Sequence, residues 1–211
     1  MKLVIKVGGS LIDELYPART LLKTIATIAE QRSVLVVPGG GAFADIIRVA
    51  HSKGFVSDSA AHWLAIKCMD LNAMIMADIQ PSLNLCSEAD AFDRWAEGES
   101  FIIQPYNLLK SYDRLPHSWG VTSDSIALWL GIQGDADAVV LLKSTDPFTK
   151  RGSTIQSETE VVRPNSLQHL VNEETIDPYI ASLLPEYKGD FYVLNGRMPD
   201  SLLGIIEQPT Q

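Results

Sequence analysis

The sequence predicts an α/β fold in which a mainly parallel sheet is covered by helices on both faces. Three observations predict it. The candidate strands are apolar throughout rather than alternating, as strands buried on both faces are. Helical periodicities separate them. Two strands run straight into glycine corners, Lys6-Val7-Gly8-Gly9-Ser10 and Pro38-Gly39-Gly40-Gly41, each followed by a helix-like stretch.

Leu3 to Val7 is the first strand, and it contains Lys6. A lysine in a buried strand needs an anion beside it, because an unpaired buried ammonium is very costly. Residues 20–31 read as a helix with Leu21, Leu22, Ile25 and Ile28 on one face, followed by a strand at 34–37. A helix over 42–51 groups Ile46, Ile47 and Ala50. A longer one follows Asp58, its expected N-cap, with Ala61, Leu64, Ala65, Cys68, Leu71 and Ile75 along one stripe. Short strands at 83–86 and 101–103 flank a polar helix at 88–97. Ser123, Asp124 or Ser125 caps a helix that buries Ile126, Ala127 and Leu130 and ends at Gly131. Asp137 to Leu142 is the most continuous apolar strand. The polar, turn-rich stretch 147–165 reads as a mobile loop or edge hairpin. Phe191 to Leu194 is the last strand, stopped by Asn195-Gly196 before a helix at 199–207.

A length of 211 residues suits a single domain with a substantial core. The net charge of −9 argues against a nucleic-acid partner, which would select a basic face. No stretch reaches membrane-spanning length, and the first strand is too short and too soon broken by Lys6 to be a signal peptide. A cytoplasmic protein without membrane contact is the expectation. Cys68 and Cys86 lack metal-ligand spacing, and Cys68 reads as a buried thiol. No metal-ligand cluster, nucleophile elbow or dinucleotide fingerprint is present, and the four histidines are scattered.

The chemistry concentrates at strand ends, where ligands bind on parallel sheets. Gly8 and Gly9 let backbone N–H groups converge on an anion. Three consecutive glycines, Gly39 to Gly41, are costly in entropy unless a ligand must approach the backbone at a helix N-terminus. Arg48, one turn into that helix, could reach an anionic substrate or lie solvated at the surface. Asp124 could cap its helix or orient Lys6 and keep it charged. Lys143-Ser144-Thr145-Asp146 follows the strongest strand and sits at a carboxyl end, where it could equally be a polar exit turn. Because the chain is acidic, polyphosphate binding would need local backbone donors, a few placed lysines and Mg²⁺.

Taken in order, these four segments resemble the amino acid kinase family. Lys6 to Ser10 matches its opening Lys-x-Gly-Gly-Ser, Pro38 to Gly41 its second glycine loop, Ser123 to Ala127 its Asp segment, and Lys143 to Asp146 its nucleotide-side Lys/Thr-Asp segment. The resemblance implies a three-layer αβα sandwich, an ATP-dependent phosphotransferase with Mg²⁺, and a homodimer or higher homo-oligomer. It puts the acceptor over about residues 1–115 and ATP over about 116–211. Lys6 and Asp124 become the catalytic residues. Gly8, Gly9, Ser10, Gly39, Gly40, Gly41, Asp45 and Arg48 become phosphate or acceptor ligands, and Lys143, Ser144, Thr145 and Asp146 nucleotide ligands. Thr145-Asp146 departs from the family pattern by continuing into Pro147-Phe148-Thr149. The second catalytic lysine of several members has Lys143, Lys150 and Lys188 as candidates. Within the family, Gly39 to Arg48, the helix around His62, Trp119 to Ala127 and Leu194-Asn195-Gly196 are similar to kinases of 5-(aminomethyl)-3-furanmethanol phosphate. That implies a phosphate monoester acceptor. UMP, glutamate or a carbamate is the alternative, as is a protein that binds nucleotide without turnover.

Overall fold

The computed structural model describes residues 1–88, 90–147 and 164–206. Apart from its two ends, the loop or hairpin expected over 147–165 lies outside the described residues, as does Lys150. Among the described residues six strands form one sheet: β1 (Lys2–Val7), β2 (Ser33–Pro38), β3 (Asn84–Cys86), β4 (Phe101–Ile103), β5 (Ala138–Lys143) and β6 (Asp190–Asn195). Their order is β3-β4-β2-β1-β5-β6, and every pairing is parallel. The helices among the described residues are α1 (Leu15–Ala29), α2 (Gly41–Ser52), α3 (Asp58–Ile79), α4 (Ala91–Ala96), α5 (Pro105–Tyr112), α6 (Ser123–Gln133), α7 (Pro164–Asn172), α8 (Ile180–Leu183) and α9 (Asp200–Ile206). The result is the three-layer αβα sandwich.

Strand alternation assigns the two faces. Leu3, Ile5 and Val7 of β1 pack with α1 and α9 through Leu22, Ile25, Leu202 and Ile205. Val4, Leu35, Val37, Val139 and Leu141 face the other way, onto Ile66 and Met69 of α3 and Ile126 to Leu130 of α6. Each of these fully buried aliphatic side chains contributes about 1.5–3 kcal/mol from removal from water, which is why the strands are apolar on both faces. Gly131 does not end α6. The helix continues to Gln133, because a Cβ at 131 would lie 2.4 Å from Val139 Cγ2, so Gly131 lets helix and strand approach closely.

Several expectations are corrected. The stripe read along α3 is only partly buried: Ala61 and Cys68 are in the core, whereas Leu64, Leu71 and Ile75 are exposed. The helix is apolar around most of its circumference, and the sheet selects Trp63, Ile66, Met69, Ala73 and Met76 instead. Ile46 of α2 is exposed as well, since α2 stacks on α3 from outside and has no buried residue. Ser57 rather than Asp58 caps α3, its side chain accepting from Ala60 N, while Asp58 turns to His51. The helix α5, begun by Pro105, was not expected.

Candidate active site

Adjacent strands β2, β1 and β5 bring their carboxyl ends together where the strand order turns, the usual ligand position in such sheets. The register sets the chemistry. Lys6 pairs with Leu141 on β5, so Lys143, two residues further, projects to the same face as Lys6. That is the face α6 covers. At the α6 N-terminus, Thr122 is the cap, its hydroxyl accepting from Asp124 N at 3.3 Å. The Asp124 carboxylate is therefore released from capping and points at the strand ends. Lys6 Nζ stands 2.8 Å from Asp124 Oδ1, and Lys143 Nζ donates to Oδ2 at 2.5 Å. Lys6 and Asp124 are only 5% and 3% exposed.

Burial alone would raise the Asp124 pKa, but the charge of Lys6, then that of Lys143, overcomes it and holds the carboxyl at about 2. Burial and the neighbouring Lys6 push the Lys143 pKa down, and Asp124 opposes them. The Lys6 contact is a close, buried ion pair on Oδ1, while Lys143 takes Oδ2 of the same carboxylate. Lys143, read from sequence as a nucleotide ligand and as one candidate for a second catalytic lysine, sits on the same carboxylate as Lys6.

The two glycine corners interlock beside this cluster. A Cβ on Gly9 would lie 2.2 Å from Gly41 Cα, and Gly41 itself has φ +53°. Asn72 Nδ2 donates to Gly39 O at 2.6 Å and anchors the second corner to α3. Gly8 was expected to offer its N–H to a phosphate, but that N–H is taken by Leu142 O at 3.1 Å, and the Gly39 N–H is taken by Val7 O at 2.8 Å. The N–H groups of Gly9, Gly40 and Gly41 have no partner among the described residues.

A cavity of about 270 Å³ opens from these glycines between α2, α3 and the segment before α6. Asp45 and Arg48 line it. Arg48 pairs with Asp45 at 2.6 Å, and its guanidinium lies 4.8 Å over the Trp119 ring. Trp119 Nε1 donates to His51 Nδ1 at 3.1 Å, so His51 carries its proton on Nε2 and donates to Asp58 at 2.6 Å. His62 also lines the cavity, stacked on His117 with centroids 4.5 Å apart. Burial, then the neighbouring His117, lowers its pKa to about 4, so it is neutral at pH 7. Ser10 is exposed and lies in the Gly9–Leu11 turn, and Ser144, Thr145 and Asp146 follow β5; none of these lines the cavity. The sequence reading did not single out Trp119, His62 or Asp177 as site residues. Asp177 is buried and hydrogen-bonded to the α6 N-terminus. Only the Asp177-Pro178 turn signal marks it, and nothing local links it to α6.

The sequence profile of the amino acid kinase family matches residues 1–173. The [5-(aminomethyl)furan-3-yl]methyl phosphate kinase of Methanocaldococcus jannaschii is 31% identical over 208 residues, covering 97% of this chain and 92% of its own. A uridylate kinase of Archaeoglobus fulgidus is 27% identical, with 98% and 96% covered. The crystal structure of uridylate kinase from Archaeoglobus fulgidus superposes with a TM-score of 0.74 at 22% identity, over 100% of this chain and 97% of that one. The chain belongs to the amino acid kinase family and is a phosphotransferase.

Proposed function

We propose that this family member transfers the γ-phosphoryl group of ATP to a small phosphate monoester, with 5-(aminomethyl)-3-furanmethanol phosphate the first candidate. The observation that carries the reading is the Lys6–Asp124–Lys143 cluster beside the unpartnered N–H groups of Gly9, Gly40 and Gly41. Phosphoryl transfer calls for positioning and charge neutralisation rather than covalent chemistry. Lys6 and Lys143 would neutralise the group in flight, the glycine N–H groups would bind its oxygens, and Asp124 would hold both ammoniums in place. Among the described residues no group of three or more acidic, His or Cys side chains is set to hold a metal. Mg²⁺ would be carried on the nucleotide phosphates, its usual mode in phosphoryl transfer.

The acid–base state of the site supports an ionised acceptor. A hydroxyl acceptor would use a base with pKa near neutrality. Asp124 at about 2 and His62 at about 4 are poor bases. A phosphate monoester or carboxylate arrives already deprotonated and needs none. Arg48, held on Trp119, is the cavity's cationic side chain for the acceptor phosphate. The resemblance to a uridylate kinase makes UMP the second reading. The acceptor would sit in this cavity, which Gly9 to Met69 and Ser118 to Ile126 line in part, and the nucleotide would lie over the remainder of 116–211. A homo-oligomer built on the apolar residues exposed along α2 and α3, Ile46, Leu71 and Met74 among them, completes the proposal, with light scattering as its check.

The test is ADP release with the furan phosphate, UMP, glutamate and carbamate in parallel. Release with the furan phosphate alone is expected, and the Lys6→Ala variant should fold normally yet lose it. Release with UMP alone would replace the first acceptor by the second, and undiminished release by Lys6→Ala would remove Lys6 from the chemistry.

A further inference from the structure

We propose that Asp177 is a positioning residue of the phosphoryl-transfer centre. It holds the turn Thr122 to Ser125 so that the Asp124 carboxylate stays between Lys6 and Lys143. The inference rests on the kinase reading above and adds a residue that reading does not use. Asp177 lies between α7 and α8 and is 7% exposed. Its Oδ2 accepts from Thr122 N at 2.8 Å, Thr122 Oγ at 2.7 Å and Ser125 N at 3.0 Å, and its Oδ1 accepts from Ser125 Oγ.

The direction of these bonds carries the argument. Thr122 has a single hydroxyl proton, and Asp177 takes it. A lone pair of the same oxygen is thereby left facing Asp124 N. Asp177 thus fixes the rotor that fixes the Asp124 backbone. Ser125, wholly buried, locks the other side of Asp124 through both its N–H and its hydroxyl. Helix capping alone would not require this. Thr122 already caps α6, and a neutral side chain could satisfy a helix end at lower desolvation cost.

A second buried anion has a use in this cluster. Burial and the charge of Lys6 push the Lys143 pKa down, and Asp124, then Asp177, oppose them. The charged groups bearing on Lys143 include Asp124 from α6, Lys6 from β1 and Asp177, and Asp146 follows three residues along the chain.

The test uses the whole protein labelled with ¹³Cε-lysine, with the Lys143 resonance titrated in wild type, Asp177→Asn and Ser125→Ala. Asp177→Asn should move the Lys143 midpoint to lower pH. It should lower kcat about tenfold or more with little change in either KM, and bring the basic limb of the kcat profile down with it. Ser125→Ala keeps the charge, so it should lower kcat less and leave the Lys143 midpoint in place. Melting curves set the assay temperature below each transition. A Lys143 midpoint and kcat unchanged in a folded Asp177→Asn protein would leave Asp177 as a helix anchor only and overturn the proposal. If wild type turns over no acceptor, the kinase reading fails, while the substrate-free titration still decides whether Asp177 supports the cluster.

Discussion

Asp124→Asn tests the centre most directly, because one atom change removes the anion that both lysines share. The carboxylate stands 2.8 Å from one ammonium and 2.5 Å from the other. At an effective dielectric of about 20, unit charges about 3 Å apart attract by roughly 5 kcal/mol per pair, and desolvation offsets much of it. Losing one member of a buried ion pair costs about 3–5 kcal/mol. The depressed carboxyl pKa gives a smaller figure: about 2 in the folded protein, against about 3.9 unfolded, corresponds to about 2–3 kcal/mol. The larger figure is the better guide to the substitution, because the variant also leaves two buried ammoniums without an anion. For a chain of this size the melting temperature should fall by about 6–12 °C at pH 7. The pH dependence has a definite sign. The folded pKa lies below the unfolded one, so this stabilisation is present above about pH 4 and is lost as pH falls toward about 2. Wild type should show that acid loss, and Asp124→Asn should lack its share of it. With Lys6 no longer aimed, kcat should fall by about 10²–10³, the usual loss for one preorganised charge-stabilising group. Differential scanning calorimetry between pH 2 and 7 and ADP-release kinetics below the transition measure both effects. A melting temperature within about 2 °C of wild type, with kcat within about fivefold, would refute the shared-carboxylate reasoning.

Gly9→Ala should be destabilised by about 1–3 kcal/mol in urea unfolding, because its Cβ would meet the Gly41 backbone at 2.2 Å. The corners must separate to admit it, so the KM for ATP should rise as well. Trp119→Leu removes the ring under Arg48 and the bond to His51. Its KM for the acceptor should rise about tenfold with the KM for ATP unchanged, as expected when about 1–2 kcal/mol of binding is lost on one substrate only. Equal effects on both constants would take Trp119 out of acceptor recognition.

What could be read from the sequence follows the range of the interactions involved. The strands and the two glycine corners are local patterns: apolar runs of fixed period and residues with special backbone freedom. Lys6 was conspicuous because it violates the burial rule of its own strand. Lys143 violates no rule, standing at a strand exit where a polar residue is ordinary, and its place on Asp124 follows from the β1–β5 register, which single-strand patterns do not contain. Asp177 meets Thr122 and Ser125 across more than fifty residues of chain. The α3 stripe was misread because a helix apolar on most sides does not reveal which side the sheet will take.

The register also explains how an acidic chain can hold a phosphate-handling centre. Two ammoniums on adjacent strand ends would repel each other, yet they share a face because parallel pairing puts Lys6 beside Leu141, two residues before Lys143. Asp124 lies between the two ammoniums and Asp177 is buried at the N-terminus of the same helix, so carboxylates offset the repulsion and the cost of burying the lysines falls. Balance would normally weaken attraction for an anion. Here the Gly9, Gly40 and Gly41 N–H groups have no partner among the described residues, so donors remain for a group that arrives between them. A transferring phosphoryl group would gain those donors without displacing Asp124.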